Sequence, residues 1–191
     1  MKLNTDNISH LFVDFDYSQF KSQKHPENKS IITFKEINDL QKLPDDEDFV
    51  KEKDDIAEVF KKATKKNNLK YPRKIVHSLI DQSRQPLMNI KNYFNRPRPK
   101  VLADSFGLDL KNVELPSMQT PSYPSGHSAQ GVLVARVLSE IYPEAEGDFM
   151  QEAENISYSR NIGKSHYKSD SDLGKQIGEA MYEHVRDKLF N

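Results

Sequence analysis

The sequence predicts an all-α helical bundle with a less regular N-terminal segment. Three observations carry that expectation. Apolar residues recur at spacings of three and four through most of the chain beyond residue 46. Proline, glycine and serine stand where such helices would start and stop. The chain has only seven glycines, too few for the glycine-rich loops of a doubly wound sheet. At 191 residues it fits a single domain able to bury a proper core. Its pattern divides it into an irregular arm over 1–45 and a helical domain over 46–191.

Residues 1–45 are rich in Asn, Asp, Ser and Lys, and His25-Pro26-Glu27-Asn28 reads as a turn. Ser30-Ile31-Ile32-Thr33-Phe34 reads as a short strand. Asp14-Phe15-Asp16 imitates the paired aspartates of haloacid dehalogenase-like phosphatases, but the apolar strand that such chemistry needs does not precede it. Asp46 to Asn67 reads as one amphipathic helix with Phe49, Ile56, Val59 and Phe60 near its inner face. Pro72 suits the first turn of the next helix, whose apolar residues are Ile75, Val76, Leu79 and Ile80. His77 within it is taken as a packing or surface residue. Pro86 is expected to break or restart that helix, with Leu87, Ile90, Tyr93 and Phe94 rebuilding the face up to Asn95.

Lys91 then projects from the last helical turns, and Arg96 and Arg98 each precede a proline, which biases them to extended backbone. Two cations can converge from such a turn. Residues 100–122 read as a long loop shaping a site entrance. Ser125 is the expected N-cap of a helix carrying Val132, Leu133, Val137, Leu138 and Ile141 and ended by Pro143. Free N–H groups at that helix start, with Gly126 allowing close approach, form an anion site that His127 is placed to serve. A further helix runs from about Gly147 to Ile162, ended by Gly163. The last begins at Ser169–Ser171 and carries Leu173, Ile177, Met181, Val185 and Leu189, with Gly174 and Gly178 leaving room for a close crossing.

The stretch from Ser159 to Asp170 gathers a cation, an imidazole and a carboxylate. His166 has the chemistry of a nucleophile, because a carboxylate at Asp170 can hold one ring nitrogen protonated and leave the other lone pair free. Arg160 adds a fork suited to phosphate oxygens. Taken alone, each of these pieces equally fits a solvated turn or cap.

Together and in order they carry more. Lys91 with Arg98-Pro99, then Pro124-Ser125-Gly126-His127, then Ser159-Arg160 with His166 and Asp170, resembles the three-part signature of the type 2 phosphatidic acid phosphatase superfamily. That superfamily includes the soluble class A bacterial acid phosphatases and the vanadium-dependent haloperoxidases. The resemblance spans about residues 86–185 and implies a helical bundle of that type, with 46–191 as the phosphatase domain. It implies that Lys91, Arg98 and Arg160 bind phosphate oxygens with the Ser125 hydroxyl and the Gly126 amide. It further implies that His166 attacks phosphorus, that Asp170 orients it, and that His127 protonates the leaving oxygen and then activates water. Ser159 is given a supporting place. Arg96 matches no required position and is kept as a lesser phosphate or entrance residue.

Three cations and amide donors can neutralise phosphate charge without a metal, so no metal or cofactor is expected. Vanadate is expected as an inhibitor or, in the haloperoxidase alternative, as the cofactor on His166. A helical phosphate-binding module without turnover is the non-enzymatic alternative. Charged residues make up 30%, mean hydropathy is −0.79, and no apolar run approaches a spanning length. No membrane partner is expected. A net charge of −1 gives no support for nucleic-acid binding. The start lacks the apolar core of a secretory signal, giving a cytoplasmic expectation. The expected partner is a small soluble phosphate ester, with the oligomeric state, a homodimer included, left open. Tyr93, Phe94, Tyr123, Lys164, Tyr167 and Lys168 adjoin the motifs in sequence and are candidates to touch the rest of that substrate.

Overall fold

A computed structural model describes residues 8–190. Eight α-helices account for the architecture, and no strand occurs among the described residues. They are α1 Ile31–Gln41, α2 Glu47–Glu52, α3 Ile56–Lys66, α4 Arg73–Phe94, α5 Pro99–Ser105, α6 Gly126–Ile141, α7 Glu146–Ile162 and α8 Lys168–Leu189. The all-α expectation holds.

The bundle is built around α6. Its residues from Ser128 to Ala135 are all buried, the mark of a helix surrounded on every side. It packs against α7, α8, α4 and α3. Leu133, Val137, Phe149, Ile156, Ile177 and Val185 are fully enclosed in this core, and each such side chain contributes about 1.5–3 kcal/mol relative to exposure. The two glycines of α8 set the tightest crossing. A Cβ on Gly174 would lie 2.4 Å from the Ser125 carbonyl oxygen, and one on Gly178 2.5 Å from that of Ala129. Close packing, as read from the sequence, is therefore what both positions require.

Four local expectations are corrected. Ser30–Phe34 is not a strand: Ser30 caps α1, its Oγ accepting from the Thr33 N–H at 3.2 Å. Ile31 and Ile32 are exposed while Ile37 and Leu40 face inward, so helical burial overrides the β-branched pair. The single helix over 46–67 is two, because Lys53-Asp54 turns the chain and Asp55 caps α3 by accepting from the Glu58 N–H at 3.0 Å. Pro86 does not interrupt α4. It removes one backbone donor, but Pro86, Leu87 and Ile90 continue the same buried face, which offsets the loss. Residues 100–122 are not all loop: α5 covers part of them and a 3₁₀ turn spans Pro116–Gln119. Leu102 and Ala103 on α5 join Ile37, Leu40, Leu110 and Tyr167 in a second small core. No helix among the described residues is long and apolar enough to cross a membrane.

Candidate active site

Each functional side chain is placed by an element boundary. Lys91 comes from the last turn of α4, which ends as Asn95 takes a left-handed conformation with φ 48°. Arg98 is the residue that leads into α5, and Pro99 occupies its first turn. Ser125 caps α6, accepting from the Ser128 N–H at 3.3 Å, so Gly126 and His127 begin that helix. Gly126 backs onto Lys91, whose Cε would lie 3.8 Å from a Cβ there. Arg160 sits in the last turn of α7 and His166 in the connection to α8, while Asp170 lies in the first turn of α8.

These boundaries meet at one cleft of about 730 Å³, lined by Lys91, Arg98, Gly126, His127 and His166 together with apolar residues of α3 and α4, including Ile56, Leu87 and Met88. Asp170 lies behind it, wholly buried. Its Oδ2 is 3.1 Å from His166 Nδ1 and accepts from the Tyr167 N–H, also at 3.1 Å. Arg98 Nη1 is 3.0 Å from His166 Nε2. A guanidinium only donates, so Nε2 carries the lone pair and Nδ1 the proton that goes to Asp170. Arg98 is itself fixed, donating from Nε to the Thr120 carbonyl at 2.8 Å and from Nη1 to that of Ser165 at 2.8 Å. Lys91 Nζ donates to the Pro121 carbonyl at 2.6 Å. Ser125 and Arg160 do not line the cleft but stand in the layer behind it, both buried. Ser159 is one step further back, its hydroxyl donating to the Ile156 carbonyl and accepting from Arg160 Nε.

The cluster is strongly cationic, and that sets its protonation. Burial, with Arg98, Lys91 and Arg160 nearby, pushes the His166 imidazole well below its usual range. That shift favours the neutral ring. Burial and Arg98 push Lys91 down to about 7, and burial takes Arg98 down to about 10. His127 is lowered by burial, but Asp54 opposes that push. The two imidazoles thus differ in environment.

Two features were missed from the sequence. Asp54, read as part of a scaffold helix, lies in the α2–α3 turn and touches both His127 and Arg160. The pattern Asp55-x-x-Glu58 marks that helix restart and would have placed Asp54 in a turn. Arg96, kept as a lesser phosphate residue, does not reach the cleft. It is fully buried behind Asp170, bonded to Asp170 Oδ1 at 2.7 Å and to Glu36 at 2.8 Å. The six sequence neighbours also point elsewhere, since none of them lines the cleft. Lys164 is bound to Asp45, Lys168 to Asp172, and Tyr123 donates to the Gln23 carbonyl. His77, set aside in the sequence, is in the cleft wall. No group of three His, Cys, Asp or Glu side chains among the described residues is arranged to hold a metal ion.

A family model described as the PAP2 superfamily matches residues 77–183, a stretch that contains Lys91, Arg98, Ser125, Gly126, His127, Arg160, His166 and Asp170. The chain belongs to the PAP2 superfamily. Within that superfamily it is similar to a non-specific acid phosphatase of Salmonella typhimurium, 34% identical over 96 residues, which is 50% of this chain and 38% of the relative. It is similar also to an acid phosphatase of Zymomonas mobilis, 36% identical over 84 residues, or 44% of this chain and 31% of that one. A non-specific acid phosphatase of Providencia stuartii is 41% identical over 56 residues, or 29% of this chain and 23% of the relative. The matched stretches thus span well under half of each relative's length. PAP2 membership and the helical fold agree. Helix α1, with Glu36, lies outside the matched stretch.

Proposed function

We propose that this PAP2-superfamily chain is a phosphomonoesterase that hydrolyses a small phosphate ester through a phosphohistidine on His166. The observation that carries the reading is the placement of His166 between Asp170 at Nδ1 and Arg98 at Nε2. A phosphate oxygen held by Arg98 brings phosphorus to the nucleophilic nitrogen. Lys91, the Gly126 N–H and Arg160 add positive charge around the same centre, and phosphoryl transfer draws most of its acceleration from such positioning and charge neutralisation. The Ser125 hydroxyl is read as a further donor from the α6 cap.

In the first step the His166 Nε2 lone pair forms the N–P bond as the ester P–O bond breaks, and His127 gives a proton to the departing oxygen. In the second, water attacks phosphorus, its proton passes to His127, and the N–P bond breaks to release phosphate. Asp170 holds the Nδ1 proton of His166 throughout. These steps use side chains alone, so no metal or cofactor enters the reading. The cleft volume of about 730 Å³ lies within the range of small-molecule sites, roughly 300–1,000 Å³. The names of the bacterial relatives support a phosphatase. The reading takes 46–191 as the catalytic unit, with the 1–45 arm supplying Glu36 behind it.

The test is a panel of nucleotides, sugar phosphates and lipid phosphates assayed in EDTA, with His166→Ala as control. Turnover of soluble esters in EDTA and its loss in His166→Ala are expected. Absence of turnover on every ester, or full rate in His166→Ala, overturns the proposal.

A further inference from the structure

Resting on the phosphohistidine reading, we propose that Asp54 is the positioning residue of His127. It anchors the ring at Nε2, so that Nδ1 is the nitrogen that gives and takes the transferred proton. His127 Nε2 is 3.0 Å from the Asp54 backbone carbonyl and 3.3 Å from its Oδ1. A carbonyl oxygen only accepts, so Nε2 carries a hydrogen in both charge states of the ring. Nδ1 has no hydrogen-bond partner among the described residues, and the ring lines the cleft.

One fixed geometry then serves both half-reactions. In the imidazolium, Nδ1–H donates to the leaving oxygen as the P–O bond breaks. In the neutral ring left behind, Nδ1 holds the lone pair that takes the proton of the attacking water. No ring flip intervenes. The arrangement mirrors that of the other imidazole: Asp170 fixes His166 at Nδ1 and leaves the Nε2 lone pair facing Arg98, whereas Asp54 fixes His127 at Nε2 and frees Nδ1.

The same carboxylate also separates two cations. Arg160 Nη1 donates to Asp54 Oδ1 at 2.7 Å, so that oxygen lies between the α7 guanidinium and the α6 imidazole. The other ionisable groups around the cleft are mostly basic: His77, Arg84 and Lys91 on α4, Arg98 before α5, and His166 in the α7–α8 connection, with Asp55 before α3 and Asp81 on α4 as the remaining carboxylates. Without Asp54, His127 faces this basic field largely unopposed and loses its proton at lower pH. Asp54 caps no helix, since Lys53 ends α2 and Asp55 begins α3. Asp54→Asn therefore removes the charge with the elements intact.

The experiment compares kcat/KM of wild type and Asp54→Asn on p-nitrophenyl phosphate, whose leaving group departs as a stable anion, and on glycerol phosphate, whose alkoxide needs the proton. General acid catalysis contributes on the order of 10²–10⁴-fold, so the aryl-to-alkyl ratio is expected to rise about tenfold or more in Asp54→Asn. The basic limb of the alkyl profile is expected to move to lower pH. The ratio is independent of how much of the variant is folded. A wild-type enzyme active on both esters with a ratio unchanged in Asp54→Asn overturns the role of Asp54 alone. A wild type that hydrolyses neither ester overturns the phosphohistidine reading and this inference with it.

Discussion

Arg96 donates from Nη1 to Oδ1 of Asp170 at 2.7 Å, and neither side chain has any exposure to solvent. Its other terminal nitrogen, Nη2, reaches Glu36 on α1 at 2.8 Å. The guanidinium plane lies 3.7 Å from the centre of the Tyr167 ring, a cation–π contact that fixes its orientation. A chain of charge thus runs from Glu36 through Arg96 and Asp170 to His166. Burial pushes the Asp170 carboxyl up, and Arg96 opposes that push.

Arg96→Met leaves Asp170 buried without its cation. Breaking one side of a buried pair costs about 3–5 kcal/mol, which urea unfolding monitored by circular dichroism reads directly. With Arg96 gone the Asp170 carboxyl rises further, and the proposed reaction needs it ionised. Activity is then present only above the raised value, so the acid limb of kcat/KM moves to higher pH. An unmoved acid limb contradicts the link from Arg96 to His166.

Lys91 supplies a pH dependence of its own. Burial and Arg98 bring its ammonium down to about 7, so it is charged below that pH and neutral above. Anion binding to the free enzyme therefore weakens as pH rises through about 7. Sulfate, whose charge is constant over this range, is the appropriate probe in competitive inhibition. A hydrogen bond to a charged group contributes about 1.5–3 kcal/mol, so loss of the charge weakens sulfate by about tenfold or more. Lys91→Gln is expected to bind sulfate weakly throughout and to flatten the step near pH 7.

Two glycines predict opposite outcomes. Gly174→Ala places a Cβ 2.4 Å from the Ser125 carbonyl and 3.0 Å from Ser128 Cβ, so α8 must move off the start of α6. Overpacking of this kind destabilises by about 1–3 kcal/mol. It also shifts Ser125, whose N–H donates to the Asp170 carbonyl at 2.9 Å, and activity falls with stability. Gly147→Ala in the first turn of α7 meets nothing within 4 Å. A helical Gly→Ala change of this kind is neutral or stabilising by up to about 1 kcal/mol. Thermal melts of the two variants check both signs.

The bundle was legible because α4 and α8 carry apolar residues at helical spacing and because α6 and α7 have clear starts or stops, such as the Ser125 cap and Gly163 after Ile162. The motif residues were legible by type and spacing, and the structure brings Lys91, Arg98, Gly126, His127 and His166 to one cleft. What stayed hidden depends on distance in three dimensions. Glu36 is 60 residues from Arg96, and Asp54 is 106 from Arg160; no local pattern joins such pairs. Arg96 was misjudged because a cation beside Arg98 reads alike whether it faces a cleft or a buried carboxylate. The α1 helix was misread because Ser30-Ile31-Ile32 fits a strand until Thr33 and Ile37 are seen to be buried on one face.

The central claim is the covalent step at His166. Rapid acid-free quenching of the enzyme with a ³²P-labelled ester tests it most directly. Label that stays on the chain in alkali, is released by acid, approaches one phosphate per chain, maps to His166 and is absent from His166→Ala is the predicted result. Turnover without any trapped phosphate, or labelling that persists in His166→Ala, would contradict it.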